Sequence, residues 1–259
     1  MQVKDLTSVI ENYAPLSLQE DYDNAGLICG NPDSEVSAVL LCTDVTEAVV
    51  EEAIAGHFNL IISHHPLSIR PLKNLLPDHW IKRCFIRAVK NDLNIYAAHT
   101  NMDAVLNGVS GKMADKLGLQ GKEVLAKNAD PLTGFGIIGE LEEAVDSLEF
   151  LKRLKDIFHC GMIRHSVLCK PAVKRIAVCG GSGAFLIRQA IQSGADLYIT
   201  GDIKYHDFFN TENRLILADI GHYESEQYTK EIFYELVTKK ISKFAVQFSK
   251  VNTNPINYL

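Results

Sequence analysis

The chain has 259 residues, 47% of them hydrophobic and 22% charged, the balance of a soluble globular protein of one large or two small domains. Lys and Arg total 26 against 32 Asp and Glu, a net charge of −6 that argues against nucleic-acid binding driven by phosphate attraction. No run of about 18 apolar residues occurs, so no membrane span is expected. The opening Met-Gln-Val-Lys-Asp-Leu has an early acid and no long apolar core, which does not read as a secretory signal. Six cysteines (29, 42, 84, 160, 169 and 179) are scattered without a C-x-x-C pair, the usage of a reducing compartment, and a cytoplasmic location is expected. Cys42 and Cys179 end apolar runs and read as small buried hydrophobes.

In chain order, a helix is predicted over Val3–Tyr13, stopped by Pro15. Val39–Cys42 reads as a buried strand, followed by a turn at residues 43–46. A helix comes next, with Val49, Val50, Ala53 and Ile54 on one stripe, and Gly56 ends it. A second buried strand is Leu60–Ser63, and after a further helix a third spans Asn94–Ala98. A strand over Phe135–Leu141, a helix over Ser147–Phe158 and a strand over Met162–Leu168 form a connecting segment.

The first pattern then returns 137 positions later, without a gap. Ile176–Cys179 falls on Val39–Cys42, the stripe Leu186, Ile187, Ala190 and Ile191 on the earlier stripe, and Leu197–Thr200 on Leu60–Ser63. Leu215–Ala218 supplies the matching third strand. Strand–helix–strand units of this kind make a parallel sheet with right-handed crossovers. The expected fold is therefore α/β, with two related lobes at residues 1–125 and 170–259 and the connecting strand–helix–strand at 126–169. Phe244, Val246 and Phe248 alternate as in a strand that pairs at a lobe edge, between subunits or within its own chain.

In open α/β sheets, ligands bind at the carboxyl ends of the strands, and the metal-type residues fall there. His64-His65-Pro66 follows the second strand. Pro66 favours an extended His65, and adjacent side chains of an extended chain point to opposite sides. The pair therefore suits two neighbouring metals. His99 and Asp103 follow the third strand, and His222 and Glu226 follow its repeat equivalent. On a helix, residues four apart share a face, so His222 and Glu226 are expected to serve one metal centre. Asp202, Lys204 and His206 cluster after the strand Leu197–Thr200, either facing substrate or making a local surface ion pair. Gly180-Gly181-Ser182-Gly183 links a strand to a helix and reads as a tight turn or as an anion site. His57, His79, His159 and His165 read as surface or packing residues.

Taken together, Asn24-Ala25-Gly26-Leu27, Ser63-His64-His65-Pro66, His99-Thr100-x-x-Asp103, Gly180-Gly181-Ser182-Gly183, Gly201-Asp202-x-Lys204-x-His206 and Gly221-His222-x-x-x-Glu226 resemble the GTP cyclohydrolase I type 2 homologues, the NIF-three-like family. The resemblance spans nearly the whole chain, in its compact form without a PII-like insert. It implies two similar α/β lobes, a dinuclear metal site in the cleft between them and a homohexameric ring. The implied ligands are His64, His65, Asp103, His222 and Glu226, the glutamate bridging both ions, with His99 as a further motif residue.

Two functions stay open. The first is a metal-dependent hydrolase acting on a small molecule, with GTP as the substrate the resemblance implies. A mixed His/carboxylate site suits two ions of Zn, Mn or Fe. Glu226 would bridge, His206 or His99 would move protons, and Lys204 with Gly181, Ser182 and Gly183 would hold the nucleotide. The second is a non-catalytic metal-binding or regulatory module.

Overall fold

The computed structural model describes residues 1–240 and 244–259. In chain order the elements are α1 (Val3–Tyr13), β1 (Gly26–Cys29), β2 (Ala38–Cys42), α2 (Glu47–Ala55), β3 (Leu60–Ser63), α3 (Trp80–Lys90), β4 (Asn94–Ala97), α4 (Thr100–Asp103) and α5 (Val109–Lys116). They continue with β5 (Gln120–Lys127), β6 (Gly134–Asp146), α6 (Ser147–Phe158), β7 (Arg164–His165), β8 (Ala172–Ser182), α7 (Ile187–Gln192), β9 (Leu197–Gly201) and β10 (Ile216–Asp219). The last are α8 (His222–Glu226), α9 (Thr229–Lys240) and β11 (Ala245–Phe248). The fold is mixed α/β with two sheets, and no helix among the described residues is long and apolar enough to cross a membrane.

The chain parts into two compact units, Met1–Met102 with Thr229–Pro255, and Asp103–Tyr228 with Ile256–Leu259. The first unit holds a five-stranded sheet in the order β1-β4-β3-β2-β11. Strands β11, β2, β3 and β4 run parallel, and β1 closes one edge antiparallel to β4. Leu40, Val49, Val50, Ile61, Cys84 and Ile95 lie in the core on one side of this sheet. Thr46 caps α2 by accepting from the Val49 amide, the N-cap chemistry expected of a threonine before an apolar stripe.

The second unit holds a six-stranded sheet in the order β5-β6-β8-β9-β10-β7. Strands β8, β9 and β10 are parallel, while β5, β6 and β7 pair antiparallel to their neighbours. The helix α6 has the bounds its periodicity predicts: Asp146 caps its start by accepting from the Leu148 and Glu149 amides at 3.0 Å, and His159 ends it in a left-handed conformation. Phe150, Leu151, Leu154 and Phe158 bury the apolar face of α6 in the core of this unit.

The internal repeat is structural down to the pairing register. Val39 faces Leu60 and Leu60 faces Asn94, just as Ile176 faces Leu197 and Leu197 faces Ile216. The unit boundaries differ from those expected at 125/126 and 169/170. The presumed connector is not a separate piece, because β6 lies within the second sheet between β5 and β8. The chain's end does not stay with the second repeat, because α9 packs on α1 and β2, and β11 pairs with β2 from Ala245↔Ala38 to Phe248↔Leu41. The alternation at Val246 and Phe248 thus pairs within its own chain, with Phe248 stacked on Tyr234 at 5.2 Å. Between β9 and β10 the chain forms a 3-10 segment, Tyr205–Thr211.

Ile62 and Ile199 occupy the same repeat position, and both are fully buried. Replacing either with Ala is expected to cost about 2–5 kcal/mol through lost apolar transfer and the cavity left behind. Urea unfolding of each variant measures this; a change under about 0.5 kcal/mol at either site contradicts a close-packed core there.

Candidate functional site

In the first unit, the donors sit where β3 and β4 end. The His64 amide donates to the Cys42 carbonyl at 3.3 Å and the His65 amide to the Thr43 carbonyl at 2.9 Å, so the ladder with β2 continues through both histidines. The rings of His64, His65 and His99 lie 4.8–5.4 Å apart, centroid to centroid. One ring nitrogen from each lies within 4.8 Å of one from either of the others.

Each imidazole is tied at Nδ1. His64 Nδ1 lies 2.9 Å from the Ala98 carbonyl oxygen, His65 Nδ1 2.7 Å from Asp44 Oδ1, and His99 Nδ1 2.7 Å from Asp23 Oδ1. A carbonyl oxygen only accepts, so His64 carries its proton on Nδ1 and its lone pair on Nε2. The carboxylates favour the same tautomer at His65 and His99. Burial opposes ionisation of Asp23, but hydrogen bonds from His99 and Thr100 hold its carboxyl far below the usual range. At Asp44, burial is again outweighed, by His65 and by Thr253.

In the second unit, β10 leads into a turn fixed by Asp219, which is 4% exposed. Asp219 accepts from the Gly221 amide at 3.0 Å, from the Ile203 amide at 3.1 Å and from the Arg164 guanidinium. One carboxylate thus sets both the end of β9, where Asp202 lies, and the start of α8, where His222 lies. His222 Nδ1 is 2.7 Å from Asp202 Oδ2, and its Nε2 is 3.0 Å from Glu226 Oε2. The i,i+4 face-sharing expected of His222 and Glu226 is present. Asp202 reaches His222 from a left-handed backbone, φ 55°, uncommon outside glycine but more accessible to Asp than to most residues. Burial lowers the His222 pKa, yet Asp202 and Glu226 together raise it to about 11. A carboxylate oxygen of Asp103 lies within 4.8 Å of one of Glu226, which is 3% exposed.

The glycine run ends β8, with Gly181 at φ +61°, and the amides of its first two residues are engaged inside the unit. The Gly180 amide donates to Ser110 Oγ at 3.2 Å and the Gly181 amide to Ser225 Oγ at 2.9 Å. A Cβ on Gly181 would lie 2.2 Å from Glu226 Oε1, and one on Gly183 would lie 2.2 Å from Thr200 Oγ1. Gly181 therefore makes room for Glu226, and Gly183 for Thr200 and Tyr198. Ser182 points outward and is exposed. Lys204 and His206 are exposed beside Asp202, and His206 packs against the rings of Tyr205 and Phe209. Cys179 is buried next to Asp103 and Glu226; burial and those two charges push its thiol up to about 12, so it stays protonated.

Asp23 and Asp44 escaped the sequence reading. Asp44 had a usable signal, since it follows directly on β2 at a strand's carboxyl end. Asp23 had none, because it meets His99 from 76 positions away in the chain.

Over residues 1–255 the sequence matches the DUF34/NIF3 (NGG1p interacting factor 3) family. It is 34% identical over 229 residues to a protein of Clostridium acetobutylicum named GTP cyclohydrolase 1 type 2 homolog, covering 87% of this chain and 85% of that one. A protein of the same name from Streptococcus pneumoniae is 31% identical over the full length of both chains. The crystal structure of protein SA1388 from Staphylococcus aureus superposes with a TM-score of 0.91 at 28% identity, covering 100% of this chain and 99% of that one. With a family match over nearly its whole length and a relative above 30% identity along all of it, the chain belongs to the DUF34/NIF3 family.

Proposed function

We propose that the protein binds two divalent metal ions through His64, His65, Asp103, His222 and Glu226, with Glu226 shared between them, and uses them to hydrolyse a small molecule. The observation that carries this reading is the uniform orientation of the imidazoles. His64, His65 and His222 are each tied at Nδ1 to an oxygen, which turns Nε2 away from that anchor, at His222 toward Glu226 Oε2 at 3.0 Å. This is the outer-shell arrangement of metal-binding histidines. The donor set supports it as well: imidazoles with carboxylates suit Zn, Mn or Fe, while the nearby thiol of Cys179 stays protonated.

Bound divalent ions would supply a hydroxide near neutral pH and polarise the bond under attack. Around them the protein holds its own groups in place. His99, tied to Asp23, is the proposed proton carrier within the histidine cluster. Lys204 and His206, exposed beyond β9, are the proposed substrate-facing groups. The name of the relatives makes GTP the first substrate to test. On the same family resemblance, we propose a cytoplasmic homohexamer, for which light scattering at low micromolar concentration is the check; a mass near the 28.8 kDa of one chain refutes it.

Native mass spectrometry after reconstitution is expected to find two divalent ions per chain, and zero or one overturns the dinuclear reading. Asp103→Ala and Glu226→Ala are expected to lose metal yet keep the circular dichroism of the wild type, because each unit has its own apolar core. In a panel of GTP, other nucleotides and phosphoesters, Glu226→Gln is expected to abolish any turnover the wild type shows; metal uptake with no turnover leaves a binding module and refutes the hydrolase.

Asp44→Asn and Asp202→Asn are expected to weaken metal binding about ten- to a hundredfold, because an amide stabilises the imidazole's tautomer and basicity less than a carboxylate does. Competition with a chelator measures this, and wild-type affinity in both variants removes the outer-shell argument.

A further inference from the structure

The last strand does not end the first unit. Beyond β11 the chain is fastened along β2 and α2 by a series of bonds. The Ser249 amide donates to the Leu41 carbonyl at 2.8 Å, and its hydroxyl donates to Glu52. The Lys250 amide donates to Glu52 Oε1 at 2.9 Å, and the Val251 amide to Ser249 Oγ at 3.2 Å. Val251 packs against the core under α2. Two residues on, Thr253 Oγ1 donates to Asp44 Oδ2 at 2.6 Å. The other oxygen of that carboxylate, Oδ1, accepts from His65 Nδ1 at 2.7 Å.

A carboxylate with one oxygen fixed by a hydroxyl and the other on an imidazole cannot rotate without breaking one of the two bonds. Asp44 is partly exposed, its side chain 31% accessible, so burial alone does not immobilise it. The strap supplies the missing constraint. It is 209 positions away from Asp44 in the chain and is brought there by the parallel pairing of β11 with β2.

We propose that Thr253 is a positioning residue: the C-terminal strap, through the relay Thr253–Asp44–His65, fixes the tautomer and direction of the His65 ring and thereby strengthens metal binding there. The inference rests on the reading of His65 as a ligand. Its geometric half, the hold on His65, stands apart from metal.

The test uses the full chain with Thr253→Val, which keeps the size and removes the donor, and Thr253→Ser, which restores it. Titration with Zn²⁺ or Mn²⁺ against a chelator is expected to show roughly fivefold weaker binding of one ion in Thr253→Val, the scale of one net hydrogen bond. Thr253→Ser is expected to bind as the wild type does. In the metal-free protein, ¹H–¹⁵N spectra of the imidazoles are expected to show faster solvent exchange of the His65 Nδ1 proton in Thr253→Val, with His64 unchanged. Wild-type metal affinity and exchange in Thr253→Val overturn the proposal. His65→Ala separates the two ideas: undiminished metal uptake in that variant refutes the ligand reading itself, whereas metal loss there beside wild-type behaviour in Thr253→Val refutes the relay alone. A melting temperature of Thr253→Val well below that of Thr253→Ser would mark the hydroxyl as a fold element and also overturn the proposal.

Discussion

The hydrogen bond from imidazole Nδ1 to a fixed oxygen is the constraint on which the candidate site depends. A histidine at a strand end has two usable nitrogens and a ring that turns freely about χ2, so its type alone aims nothing. In this protein, one nitrogen of His64, His65, His99 and His222 is occupied by a carbonyl or a carboxylate within 2.9 Å. The other is thereby presented in a defined direction. Three of those four oxygens belong to aspartates, and two of these receive a further hydrogen bond, Asp23 from Thr100 and Asp44 from Thr253; the third is Asp202, whose carboxyl His222 holds below the usual range.

These aspartates are cheap to place because the repeated sheet does the placing. Parallel pairing aligns the carboxyl ends of neighbouring strands, so β2 delivers Asp44 beside the His65 of β3, and β9 delivers Asp202 beside the His222 that follows β10. The two pairs lie at different interfaces of the repeat, since β2–β3 corresponds to β8–β9 while Asp202 and His222 follow β9 and β10. The second unit adds space as well as alignment. Glycine at 181 leaves Glu226 the volume that any Cβ would take, and Ser225 occupies the Gly181 amide. Gly181 serves as packing for a buried acid, a role that glycine composition alone does not distinguish from an open nest of amides.

Buried charge is the recurring cost in this arrangement. Glu226 is nearly inaccessible and lies close to Asp103, an arrangement of two carboxylates that favours a cation between them or a proton on a partner. The elevated pKa of His222 is the response of the metal-free protein: the imidazolium neutralises part of the acid cluster. Metal binding would have to displace that proton, since an imidazole ligates in its neutral form.

The sequence by itself determined the local elements and the donor types. Periodicity placed α1, α2 and α6, apolar runs placed β2, β3, β9 and β10, and a shift of 137 positions disclosed the repeat whose register the two sheets share. The His222–Glu226 face was legible because i,i+4 spacing on a helix is short-range geometry, whereas the His64 and His65 rings, expected on opposite sides of an extended chain, lie 4.8 Å apart. Tertiary structure alone decided what short-range geometry does not encode. It joined β11 to β2 across 207 positions, and it carried Thr253 to Asp44 and Asp23 to His99. It also set Gly180-Gly181-Ser182, which the sequence leaves open between a tight turn and an anion site, in the end of β8. The reason is that a hydrogen-bond partner far along the chain is selected by which strands pair and which backbone must pass close to a side chain, and both are properties of the assembled sheet.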